Sequence, residues 1–142
     1  MRKLLVPMDN SDNATRALDY AIRLAKGTGS TELHIVNAHE PPIVFGEIAV
    51  YLEEEKAKEL QRRHSEDILK PATEAAKAAG VPFTSEILIG DIARGIVACA
   101  EEKGCDHIVM GTRGLGAIGN LLMGSVATKV VHLTKLPVTL VK

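Results

Sequence analysis

Glycines at 111, 114, 116, 119 and 124, with Arg113 and Ser125 among them, form the stretch of this chain best suited to chemistry. Glycine lets a backbone approach an anion with no Cβ in the way. The helical pattern begins just after Gly124-Ser125, so the first free N–H groups of that helix face the loop. A helix N-terminus carries about +0.5 of a charge and readily receives phosphate. Ser125 adds a hydroxyl donor and Arg113 a guanidinium. The interval from Gly111 to Gly124 is long for a plain strand-to-helix turn, which usually runs about 2–6 residues. The chemistry this pattern points to is phosphate binding.

Two familiar phosphate motifs can be set against it. Gly114-x-Gly116-x-x-Gly119 spells a dinucleotide fingerprint, but that motif belongs in the first strand-to-helix turn, with an acid about 20 residues later. Here it follows the fourth strand, and no acidic residue occurs after Asp106. Gly119-x4-Gly124 has P-loop spacing, but Ser125-Val126 stands where Lys-Ser/Thr is required. Neither motif holds, while the backbone chemistry they share does.

Other reactive residues form no comparable group. Asp9 has no adjoining second acid, as a receiver domain or a paired-carboxylate site would need, and reads as a hydroxyl acceptor. His34, His39, His64, His107 and His132 show no metal-like i, i+4 pair and read as structural or surface histidines. Cys99 and Cys105 form no C-x-x-C and read as reduced, buried thiols. The charged run from Glu53 to Asp67 reads as a solvated helix face.

The elements that must position the loop follow from periodicity. Apolar runs at Lys3–Met8, Leu33–Ala38, Phe83–Ile89, His107–Met110 and Pro137–Val141 read as strands. Ser11 caps a helix carrying Ala14, Leu18, Ala21, Ile22 and Ala25, closed by Gly27-Thr28-Gly29. Ala57, Leu60, His64, Ile68, Ala72 and Ala75 mark a long helical region to Ala79, which Pro71 should kink or split in two. Asp91 caps a third helix with Ile92, Ile96 and Cys99 on its inner face. Val126, Val130 and Leu133 mark a fourth. Strands alternating with helices imply crossovers, hence a mostly parallel α/β sheet with helices on both faces.

Composition sets outer bounds. The 142 residues fit one domain, 1–142, with 46% hydrophobic and 25% charged residues. The net charge of −1 asks for neither nucleic acid nor an acidic membrane. That charge is unevenly spread: the last 36 residues carry +4 and the rest −5. Asp9 cuts the opening apolar run below signal-peptide length, and the uncharged stretch Gly114–Thr128 is too short to span a bilayer. A cytoplasmic location is expected.

Gly111-x2-Gly114-x9-Gly124-Ser125 resembles the nucleotide motif of the ATP-binding universal stress protein family. The opening Leu5-Val6-Pro7-Met8-Asp9-Asn10-Ser11, the pair Gly90-Asp91, the stretch Asp106–Gly111 and Pro137–Val141 resemble that family's other landmarks. The resemblance implies an open five-stranded parallel sheet ordered 3-2-1-4-5, with ATP or AMP across the strand ends. It places Asp9 at the ribose or adenine, Pro7 beside the base, and Ala38 backbone groups at the adenine edge. It puts Gly111, Thr112, Arg113 and Gly114 along ribose and phosphates, with Gly124 in the phosphate cradle and N–H groups of Ser125 and Val126 on the phosphates. Asn10 stands where the family most often has glycine, a small change because asparagine tolerates left-handed geometry. The implied role is a nucleotide-binding stress or signalling module with slow ATP hydrolysis at most, using Mg²⁺ on the phosphates. A homodimer through Val138–Val141 is implied, and the apolar, β-branched edge agrees. Two other readings stay open: a module of the same fold that binds no nucleotide, and a true nucleotide-hydrolysing enzyme.

Overall fold

In a computed structural model, residues 2–41, 50–114 and 123–142 are described, those at 50–52 as helix only. Gly116 and Gly119, the later glycines of the G-x-G-x-x-G string, lie outside them. Strand β1 (Arg2–Pro7), helix α1 (Asp12–Thr28), β2 (Thr31–His39), α2 (Val50–Ala78) and β3 (Phe83–Ile89) form the first half. Helix α3 (Ile92–Glu102), β4 (His107–Gly111), α4 (Ser125–Leu133) and β5 (Val138–Val141) complete the chain. All four strand pairings are parallel, in the order β3-β2-β1-β4-β5.

The middles of β1 and β4, Leu4-Leu5-Val6 and Ile108-Val109-Met110, are continuously apolar because the sheet is covered on both faces there. Leu4, Val6, Leu33 and Ile35 point into one core, beneath Ala14, Leu18 and Ile22 of α1 and Ile68, Leu69 and Ala72 of α2. Leu5, Val36, Ile108 and Met110 point into the other, beneath Ile96 and Cys99 of α3 and Ala127 and Val130 of α4. Strand alternation thus assigns each neighbour to the opposite layer.

Helix starts follow their caps. The Ser11 Oγ accepts from Ala14 N at 3.1 Å, and the Asp91 carboxylate from Arg94 N at 2.9 Å. Pro71 does not split α2: the helix runs unbroken through it. Pro71 and Asp67, whose carbonyl the proline leaves without a helical donor, are both exposed, on the side of α2 where solvent can serve such a carbonyl. Leu133 ends α4 facing outward, 40% exposed. Among the described residues no helix is long and apolar enough to cross a membrane.

Candidate functional site

The sheet order reverses between β1 and β4, which are neighbours although the chain runs from β1 to β2 and from β3 to β4. In open parallel sheets ligands sit outside the carboxyl ends of the strands at such a point. A cavity of about 390 Å³ opens there, within the usual range of about 300–1,000 Å³ for small-molecule sites. One part is apolar, lined by Pro7, Met8, Ala38, Ile92, Ile96 and Met110. The other is polar backbone and small side chains: Gly111, Gly114, Gly124, Ser125, Val126 and Ala127, with Asp9, Ser11, Ala14 and Arg113 beside them.

Asp9 lies two residues past β1. Its Oδ1 accepts from Ser11 N at 3.0 Å and from Ser11 Oγ at 2.5 Å. Between them Asn10 takes a left-handed φ of 69°, the geometry glycine would supply. Asp9 is the only carboxylate lining the cavity among the described residues. From β2, the Val36 carbonyl accepts Met8 N on the β1 side, whereas the His39 carbonyl accepts Gly90 N on the β3 side. The same alternation turns the N–H and C=O of Ala38 toward the β1 side, beyond the last pairing of β1 at Pro7.

The motif's glycines are held for different reasons. A Cβ on Gly111 would lie 2.8 Å from Asn13 Cβ and 3.0 Å from the Asn13 carbonyl carbon, so the start of α1 packs directly on the end of β4. A Cβ on Gly114 would lie 2.2 Å from Asp9 Oδ2, which ties the loop after β4 to the loop after β1. Gly124 differs. Among the described residues its Cβ would meet nothing closer than Arg113 Cα at 3.4 Å, and its φ of −77° suits any residue. Gly124 N donates to the Thr112 carbonyl at 2.7 Å, which fixes the start of α4 beside the β4 loop. The cap residue Gly124 offers no side-chain hydrogen bond to α4, and Gly124, Ser125 and Val126 at its start line the cavity.

Of the residues the sequence singled out, Pro7, Asp9, Ala38, Gly111, Arg113, Gly114, Gly124, Ser125 and Val126 are brought together around this cavity. Thr112 is not among the lining residues. It is buried, and its Oγ1 accepts from Asn13 Nδ2 at 3.1 Å. Asn13 in turn accepts from Arg16, whose Nε donates to the Lys142 carbonyl at 2.6 Å. Thr112 therefore anchors α1 and the chain end to β4. Sequence reading missed the apolar part of the cavity: Ile92 and Ile96 read as ordinary inner-face positions of α3. The available signal was Gly90-Asp91, which starts α3 at the carboxyl end of β3 and so beside the crevice.

This geometry can be compared with known proteins. The model of the universal stress protein family matches residues 1–142. A universal stress protein of Thermus aquaticus, encoded 3′ of a QAH/OAS sulfhydrylase, is 38% identical over 99% of this chain and 98% of its own. Among solved structures, hypothetical protein MJ0577 superimposes with a TM-score of 0.87 at 26% identity, covering 99% of this chain and 95% of its own. A universal stress protein in complex with cAMP superimposes with a TM-score of 0.70 at 28% identity, over 99% and 97% of the two chains. The chain belongs to the universal stress protein family.

Proposed function

We propose that the crevice binds an adenine nucleotide, ATP or AMP, and that the protein acts as a nucleotide-binding stress-response or signalling module. The observation that carries this reading is the start of α4 behind Gly124, which has no side chain to cap it, lining a largely apolar pocket at the point where the sheet order reverses. A flat apolar base suits Pro7, Ala38 and Ile92, with hydrogen bonds from the Ala38 backbone. The Asp9 carboxylate is at the right end of β1 to accept from a ribose hydroxyl. Phosphates suit the N–H groups of Ser125 and Val126 and the charge of Arg113. The related structure in complex with cAMP supports the same ligand class. Mg²⁺ would ride on the phosphates, since one carboxylate is no cation cage.

Gly124→Arg tests this reading, because it fills the approach to the α4 start while its Cβ meets only ordinary contacts among the described residues. Loss of ATP and AMP binding by calorimetry, with the circular dichroism of the parent, is expected. Undiminished affinity in the folded variant refutes the assignment. Mass spectrometry of small molecules released from the purified protein then names the nucleotide.

A second reading has one observation in its favour. Gly111 and Thr112, two positions of the motif, are explained by packing against α1 with no ligand at all. A module of this fold that binds no nucleotide would keep those two positions for stability. It would have no need of glycine at 124.

A further inference from the structure

On the sheet face covered by α3, away from the crevice, three ligand-type side chains converge from three elements. His34 lies on β2 beside Thr84 of β3 in the pairing register, and Glu86 follows Thr84 on the same face of β3. Cys99 faces them from α3. His34 Nε2 is 2.8 Å from Glu86 Oε1, and Cys99 Sγ donates to that same oxygen at 3.0 Å. The nitrogen, oxygen and sulfur all lie within 4.8 Å of one another. We propose that His34, Glu86 and Cys99 form a zinc-binding site, with water as the fourth ligand.

Four observations support it. Tetrahedral zinc with bonds of about 2.0–2.3 Å needs its ligands roughly 3.3–3.8 Å apart, so the nitrogen–oxygen and sulfur–oxygen pairs, at 2.8 and 3.0 Å, need open by less than about 1 Å. The donor set of imidazole, carboxylate and thiolate is one zinc accepts, and with two anionic ligands it neutralises the ion. His34 Nδ1 is 2.6 Å from Thr84 Oγ1, a hydroxyl oxygen able to accept the ring N–H that a metal-bound histidine donates from its other nitrogen. Access is provided as well. The His34 and Cys99 side chains are buried, but Glu86 on the edge strand is one-third exposed, so an ion can enter beside it.

Without metal the group is a closed hydrogen-bonded network. Burial, with the hydrogen bond to Glu86, pushes the Cys99 thiol up to about 12, so it stays protonated and unreactive. Binding exchanges that proton: Zn²⁺ takes the thiolate and H⁺ leaves to the buffer. Lys103 Nζ, 4.0 Å from Glu86 and half-exposed, can swing into solvent when the ion arrives. The site is separate from the nucleotide crevice. His34 precedes Ala38 by four residues on β2, about 13 Å at strand rise. A metal here would stitch edge strand β3 to α3 rather than touch a ligand in the crevice.

Cobalt(II) chloride titrated into the full, nucleotide-free chain without an affinity tag is the direct probe. The expected result is saturation at one equivalent, with a near-ultraviolet sulfur-to-cobalt charge-transfer band that one equivalent of Zn²⁺ abolishes. Zinc should also raise Tm, reversibly with chelator. Cys99→Ser should remove the charge-transfer band, and Thr84→Val should weaken binding about 10–100-fold. Glu86→Gln, at the exposed ligand, should weaken it at least tenfold and serves if Cys99→Ser does not fold. Failure of the wild type to saturate at micromolar cobalt overturns the proposal. So does binding of undiminished strength in folded Glu86→Gln, or a band that survives in folded Cys99→Ser.

Discussion

Alanine at Gly111 and alanine at Gly124 should have opposite signatures, although both positions belong to one motif. At Gly111 the new Cβ would sit 2.8 Å from Asn13 Cβ and 3.2 Å from Ala14 N, where carbon pairs prefer about 3.5–4.0 Å. The first turn of α1 must move away. It is pinned, because Asn13 donates to Thr112 and accepts from Arg16, and Arg16 donates to the Lys142 carbonyl. Overpacking costs about 1–3 kcal/mol, and a strained or lost buried hydrogen bond adds about 1 kcal/mol. The sum, roughly 2–4 kcal/mol, is a large fraction of a typical stability of about 5–15 kcal/mol. For a chain of this size it lowers Tm by roughly 4–16 °C. At Gly124 the added Cβ meets only 3.4–3.7 Å contacts among the described residues, and exchanging one residue without a capping side chain for another should cost under about 1 kcal/mol. Urea denaturation followed by circular dichroism measures both. Should Gly111→Ala match the wild type within about 0.5 kcal/mol, or Gly124→Ala prove the more damaging, the division of labour argued for these glycines is wrong.

Three further outcomes are expected. Burial, and then the charge of Arg2, hold His107 below its ordinary value of 6.5. Its neutral form favours the fold, so its contribution to stability is present above 6.5 and lost as pH falls through the depressed value; non-titrating His107→Gln should flatten the decline measured by urea titration. ATP turnover should stay under about one per minute, against an enzyme median of about 10 s⁻¹, because Asp9 is held by Ser11 and has no partner acid in the cavity among the described residues. Turnover in the enzyme range that Asp9→Asn abolishes, with ATP still bound, would establish a catalyst instead. Pairing of two chains along β5 should give a dimer by sedimentation at micromolar concentration. Val138→Pro should weaken it by deleting an outward N–H at the first residue of that strand, and a monomeric wild type refutes the pairing.

That last substitution is chosen because of something the sequence hid. Val138 and Leu140 read as the apolar face of an exposed edge, the natural places for charge. In the structure both side chains pack into the α3–α4 core, and what faces outward is their backbone. The carbonyls of Pro137 and Val141 accept from Ile108 of β4 and from Thr112 just after it, so the alternate residues 138 and 140 offer N–H and C=O to the open side. Lysine there would damage the core before it guarded the edge. Sequence period tells which residues share a face; only the position of the strand beside its neighbour tells which face is covered.

The same limit separates what was legible elsewhere. Strand and helix order followed from apolar period, and the caps at Ser11 and Asp91 from side-chain chemistry, because these signals are local. Of the two outcomes expected at Pro71, a split of the helix does not occur, because the carbonyl the proline orphans belongs to the solvent-exposed Asp67. Thr112 did mislead. Its neighbours line the crevice, but the side chain turns inward to Asn13, ninety-nine residues away in sequence. The convergence of His34, Glu86 and Cys99 was wholly invisible, since it joins β2, β3 and α3 at no motif spacing. Each of these residues, read singly, was an ordinary strand or core position. In the glycine motif the letters are equal, and the fold makes them unequal: among the described residues Gly111 answers to α1, Gly114 to Asp9, and Gly124 meets only ordinary contacts at the cap of α4. Glycine is a serviceable helix cap in its own right, so the nucleotide reading stands or falls on what a large side chain at 124 does to binding while the fold is kept.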